Sequence, residues 1–277
     1  MSTHPSTSTR PAATSTKRAP WTFFVLVFIL SIPFGVLGAF SDISFPKALG
    51  LNIPISGLML VCPLTAAVIL VYREERLPGV GSLLQRVFDL KRVKHKIWYL
   101  PTFLLMPLVM VLLYGVLRLT GQLLPEPHNS LLIIPILFVA FFIGAIGEEV
   151  GWTGYATDPL QARWNAIGGA FIVGSVWALW HTVTYIEARN APPWIVAQTL
   201  GTILLRIFIV WLYNNTGKSL FVAISFHDMV NVSESMFGPQ YNPVISLAIM
   251  SVIAALVVFF WGPKTLAHFR YARRRER

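Results

Sequence analysis

Two adjacent carboxylates, Glu148 and Glu149, close the apolar run LLIIPILFVAFFIGAIG. His181 ends the stretch WALWH within a second apolar segment, and SFHDMVN sets His227 four residues before Asn231. On a helix that spacing puts His227 and Asn231 on one face, while the two glutamates diverge by about 100°. One carboxylate can then face a cavity while the other braces a neighbouring helix. Each ionisable group placed in hydrocarbon costs about 2.5–3.5 kcal/mol or more, so each is a candidate for function. Together they provide a general base, an assisting imidazole and two donors for a developing oxyanion. Each also has a plainer reading: the glutamate pair as the wet end of a helix, His181 as a hydrogen-bonded packing residue. Glu148, His181 and His227 would also make a two-histidine, one-carboxylate zinc set, although no HExxH is present. The residues leave zinc and metal-free chemistry both open.

The elements that carry these residues follow from composition. The 277 residues are 55% hydrophobic and 12% charged, about half the charged share of a soluble domain. Runs of about 20 apolar residues suffice to cross a bilayer. Eight such spans are expected at 21–40, 53–72, 97–119, 131–153, 167–186, 193–213, 219–233 and 244–262. Lys and Arg collect in the amino-terminal tail, between spans two and three, and at the carboxy terminus, joined by Arg163 and Lys218. The opposite loops hold only Lys47 and Arg189, so the positive-inside rule puts both termini in the cytoplasm. An odd number of spans would split the terminal clusters across the membrane.

The expected fold is therefore all-α: a polytopic membrane protein of eight transmembrane helices. A disordered cytoplasmic tail (1–20) precedes the membrane domain (21–262), and a basic tail (263–277) follows. The net charge of +10 is accounted for by anionic headgroups beside cytoplasmic ends, with no nucleic acid partner. RVFDLKRVKHKIW reads either as an interfacial amphipathic helix or as a solvated loop. The single cysteine, Cys62, excludes a disulfide framework and is expected to be a small buried apolar residue.

The order Glu148–Glu149, then Trp177-Ala-Leu-Trp-His181, then His227-Asp-Met-Val-Asn231 resembles the CPBP family. That family takes in type II CAAX-processing endopeptidases and bacteriocin-immunity-like (Abi) membrane proteins. The resemblance covers roughly residues 131–233. It implies an intramembrane endopeptidase in which Glu148 and His181 activate water and His227 with Asn231 holds the oxyanion; Glu149 is expected to orient the site or share the proton. The implied substrate is a peptide or protein in the bilayer, prenylated CaaX sequences being one option. Two other readings stay open, a degenerate binding or immunity factor and a proton-coupled transporter. The family's first motif usually reads EExxxR, and Thr153 stands at the arginine position. Arg206, on span six, is the expected substitute partner for Glu149.

Depth counted at 1.5 Å per residue puts Glu148, Arg206 and His227 about 8–12 Å from the cytoplasmic end, but His181 about 20 Å. A common layer then requires span five to begin later than 167. The cavity is expected to open towards the cytoplasm or the adjacent leaflet.

Overall fold

In lipid every backbone amide must find a partner within its own segment, which favours helices. The computed structural model describes residues 18–40, 55–122, 131–236, 242–267 and 269, and its described residues hold eight α-helices and no strand. The helices are α1 Pro20–Phe40, α2 Cys62–Gln85, α3 Tyr99–Leu119, α4 Ile134–Gly151, α5 Asp158–Glu187, α6 Pro192–Asn215, α7 Leu220–Ser235 and α8 Pro243–Trp261. Six helical stretches are long and apolar enough to cross a membrane; one of them, Leu131–Glu187, contains both α4 and α5. Helix α7, with 16 residues, is not among those six. Large apolar side chains such as Ile29, Val139, Leu179 and Val252 point outward, as lipid contact requires. Cys62 is buried.

Of the expected amino-terminal tail, residues 1–17 lie outside the described residues. Arg18 Nη1 donates to Gly154 O at 2.7 Å, and Ala19 N donates to the Tyr155 hydroxyl at 3.1 Å. These bonds tie the start of α1 to the segment after α4. Residues 268 and 270–277 of the basic tail also lie outside the described residues.

The segment from 86 to 98 forms no amphipathic helix. It is three short 3-10 turns, Arg86–Phe88, Leu90–Arg92 and Lys96–Trp98. Between the first two, Asp89 reaches the start of α7. Its carboxylate accepts from Ser219 Oγ (2.6 Å), Leu220 N (3.1 Å) and Phe221 N (3.2 Å). It thereby satisfies amides that have no intrahelical partner and places negative charge at the helix's positive end. Asp89→Ala is expected to lower stability by about 1–2 kcal/mol. A thermal melt in detergent matching the wild type would rule this cap out as a stabilising contact.

The α4–α5 junction sets the depth of the whole centre. Helix α4 does not stop at 153; it passes through a π-helical segment, Trp152–Thr157, into the first turns of α5. The chain reverses at Asn165, where φ is 63° and ψ is 178°, a positive φ that Asn tolerates better than most residues. Its side-chain oxygen accepts from Gly168 N at 3.1 Å. The next amides donate to the segment after α8, Ala166 N to Lys264 O (2.9 Å) and Ile167 N to Pro263 O (3.1 Å).

Glu148 and His181 lie about 25 Å before and about 24 Å after this reversal along their helices. The expected late start of span five is thus corrected: the longer arm on the α4 side brings the two residues level. Close packing completes the arrangement. A Cβ on Gly147 would come within 2.7 Å of Leu60 O, and one on Gly151 within 2.5 Å of Pro63 O. The small-xxx-small pair lets the backbone around the start of α2 press directly on α4.

Candidate active site

Glu149 is 0% exposed and has all its acceptor capacity engaged. Arg206 grips it in a fork, Nη1 to Oε2 at 2.8 Å and Nη2 to Oε1 at 3.0 Å. Thr153 Oγ1 donates to Oε2 at 2.5 Å, and His227 Nδ1 lies 3.0 Å from Oε1. Thr153 Oγ1 in turn accepts from Arg206 Nη1 at 3.1 Å. Arg206 is itself 0% exposed. Two planar groups meeting edge to edge is the geometry that suits an arginine–carboxylate pair in a dry setting.

Glu148 is differently placed. It is 7% exposed, and Oε2 accepts from the Trp177 indole Nε1 at 2.7 Å. The same oxygen stands 3.9 Å from His181 Nε2, too long for a hydrogen bond and right for one shared water. His181 Nδ1 is 3.1 Å from the Trp177 carbonyl. That carbonyl only accepts, so Nδ1 carries a proton and the Nε2 lone pair of the neutral ring faces Glu148.

Trp177 is the hub. Its ring lies 4.4 Å from Arg206 Cζ, 5.3 Å from the His181 ring and 5.1 Å from the His227 ring. Asn231 is half-buried one turn beyond His227 on α7. Six of the eight residues singled out from sequence, Glu148, Glu149, Thr153, Trp177, His181 and Arg206, join His227 in one contact network. Asn231 shares only the helix of His227.

Charge balance is consistent with this grouping. With His227 as an imidazolium, two carboxylates, one guanidinium and that ring would sum to zero, which lowers the cost of burying them together. Among the described residues no group of three His, Cys, Asp or Glu side chains is disposed to hold a metal. His227 turns Nδ1 to Glu149, and the Glu148 oxygen nearest His181 accepts from the Trp177 indole N–H.

Sequence comparison adds an independent line. Residues 130–233 match the family described as type II CAAX prenyl endopeptidase Rce1-like. The chain is also 27% identical over 263 residues to CAAX prenyl protease 2 of Methanococcus maripaludis, covering 89% of this chain and 95% of that protein. Both comparisons liken the chain to type II CAAX proteases. The protein is a protease and an integral multi-pass membrane protein. The matched stretch begins just before α4 and ends within α7, so it encloses every residue of this centre.

Within the protease, other polar side chains near the centre are missing from the sequence-based set. Tyr185, Gln198, Thr202 and Glu234 lie on α5, α6 and α7, with Gln198 Nε2 donating to Glu234 Oε2 at 3.2 Å. Their signal is spacing: 177, 181 and 185 on α5, and 198, 202 and 206 on α6, recur every four residues. A search restricted to ionisable groups within the apolar spans passes over Tyr, Gln and Thr and stops before Glu234.

Proposed function

We propose that the protease is a membrane-embedded endopeptidase in which Glu148 is the general base. The observation that carries this reading is the 3.9 Å gap between Glu148 Oε2 and His181 Nε2, a seat for one water between two acceptors. Glu148 takes a proton from that water while His181 Nε2 accepts its other hydrogen and orients it. The oxygen adds to the scissile carbonyl carbon, and the carbonyl π pair moves onto oxygen. His227, with Nδ1 spent on Glu149, offers Nε2–H to the oxyanion as an imidazolium, and Asn231 offers its amide. Collapse breaks the C–N bond, and the proton held by Glu148 passes to the leaving nitrogen. Glu149 and Arg206 touch no reacting atom in this scheme; they hold His227 in place.

The same arrangement argues against a degenerate binding factor. Thr153 leaves Glu149 without a partner on its own helix, and Arg206 supplies one from α6 at 2.8 and 3.0 Å. The substrate is a peptide presented at the membrane. A matched pair of internally quenched peptides, farnesylated and unprenylated, offered to the purified protein in nanodiscs tests the activity. Cleavage that disappears in His227→Ala supports the reading; no cleavage of either peptide or of a peptide library sinks it.

Trp177 permits a finer test. Trp177→Phe keeps an aromatic ring under Arg206 but removes the indole donor to Glu148. The turnover number is expected to fall by about ten- to a hundredfold, the worth of one hydrogen bond to a charged group, with KM little changed. Full activity in this variant would show that Glu148 is positioned by something else.

A further inference from the structure

The water seat between Glu148 and His181 depends on an imidazole that must keep Nε2 aimed at the carboxylate. The last torsion of a histidine side chain is broad and roughly two-fold, so the ring turns over unless its surroundings prevent it. One hydrogen bond, between Nδ1 and the Trp177 carbonyl at 3.1 Å, holds the ring by an edge. Packing supplies the rest. The Trp177 ring meets the His181 ring at 5.3 Å and 90°, and the Trp180 ring meets it at 4.8 Å and 81°. Trp180 is the nearer of the two and is 2% exposed.

Trp180 is fixed in turn from α1. Its indole Nε1 donates to Ser31 Oγ at 2.8 Å, and that hydroxyl donates to Val27 O, one turn back, at 2.8 Å. The serine proton is thus committed to its own helix, and a lone pair is left for Trp180. After Thr22, Ser31 carries the one polar side chain of α1, and it is buried. An indole N–H without a partner in a dry setting is costly, so this bond sets where the ring sits. A second contact acts in the same sense. The Trp180 ring lies 5.8 Å from that of Trp152, which Phe23 and Phe24 of α1 meet at 5.4 and 6.1 Å. Helix α1 therefore holds both the arm that carries the glutamates and the arm that carries His181. It lies outside residues 130–233, the stretch the family description covers, and its hydroxyl is not ionisable, so neither motif nor charge points to it.

We infer that Ser31 is a positioning residue for peptide cleavage, acting through Trp180 to keep the His181 ring in the tautomer and orientation that face Glu148. Ser31 touches no reacting atom. Its effect on rate rests on the proposed roles of Glu148 and His181, while its effect on the His181 ring rests on geometry alone. Ser31→Ala leaves the Trp180 N–H unpaired, and the turnover number is expected to fall about tenfold with KM little changed. Ser31→Thr keeps the hydroxyl and is expected to stay within about twofold of the wild type. Trp180→Phe removes the donor, so adding Ser31→Ala to it is expected to cost nothing more, a coupling that independent sites do not show.

Rates are measured per folded protein in nanodiscs, and the ring is read without catalysis by solid-state NMR of nitrogen-15 histidine-labelled protein in lipid. The His181 signals are assigned by their loss in His181→Gln. In the wild type they are expected to show Nδ1 protonated and Nε2 bare. In Ser31→Ala the two shifts are expected to move towards each other as the second tautomer fills, and in Ser31→Thr to stay apart. A general loss of packing would lower the melting temperature without moving this pair of signals. A wild-type rate in Ser31→Ala, an unmoved His181 pair in that variant, or an equal loss of rate in Ser31→Thr overturns the assignment. A moved pair in a protein whose wild type cleaves no peptide would sink the proposed catalytic roles and leave the hold of Ser31 on His181 standing.

Discussion

Glu148→Gln is expected to lower the turnover number for peptide cleavage by about 10²–10⁴-fold, the usual worth of a general base, and to lower thermal stability far less than Glu149→Gln. The amide keeps an oxygen to accept from Trp177 Nε1, now 2.7 Å from Oε2, and its size is that of the acid. Basicity is lost together with one charge, from the carboxylate that Arg206 does not hold. Binding of peptide should persist, so KM moves little and the deficit is in the chemical step. Glu149→Gln is the informative contrast. That substitution leaves Arg206, 0% exposed, facing a neutral amide where it had a charged partner, and breaking a buried pair costs about 3–5 kcal/mol. The neighbouring carboxylates should therefore fail differently, one as a catalyst with an intact fold, the other as a destabilised protein. A Glu148→Gln variant that cleaves peptide at the wild-type rate would remove Glu148 from the mechanism. Equal destabilisation by both substitutions would remove the division of labour between them.

That division was half legible in the sequence. Adjacent residues on a helix diverge by about 100°, which separates their roles without assigning them. The assignment depends on α6: an arginine in the middle of an apolar span needs a partner, and depth counting already put Arg206 near the level of the glutamates. The long apolar helices were readable because a run of about 20 apolar residues is what a bilayer crossing takes. The α4–α5 junction was not. Residues 154–166 are polar enough to look like a loop, and a helix that continues into water leaves no hydropathy signal. Only the reversal at Asn165 and its bonds to Lys264 and Pro263 show where the arm ends, and those partners lie about a hundred residues away. Asp89 was invisible for a related reason, since the amides it caps belong to α7 and become its neighbours only through tertiary packing.

Arg206→Ala is expected to remove both stability and activity, and Thr153→Arg to restore much of each in the same chain. Without the guanidinium, Glu149 keeps only the Thr153 hydroxyl and His227 as partners, and the buried charge of the centre shifts by one unit; the cost is about 3–5 kcal/mol. Arg206→Lys keeps the charge but loses the fork that spans both carboxylate oxygens, so an intermediate loss is expected. The rescue rests on where the 153 side chain starts. Thr153 Oγ1 is 2.5 Å from Glu149 Oε2 and 3.1 Å from Arg206 Nη1, so an arginine there grows into the space that Arg206→Ala empties above the Trp177 ring. Thr153→Arg alone puts two guanidinium groups on one carboxylate and should destabilise. The double variant should therefore be better than either single change, a coupling that independent sites do not show. The cycle is read by thermal melts in detergent and by peptide cleavage in nanodiscs. Wild-type activity in Arg206→Ala, or a double variant no better than that single change, would sink the idea. Recovery of both properties would mean that Glu149 needs a charge fixed against it to hold His227, and that the helix supplying that charge is interchangeable.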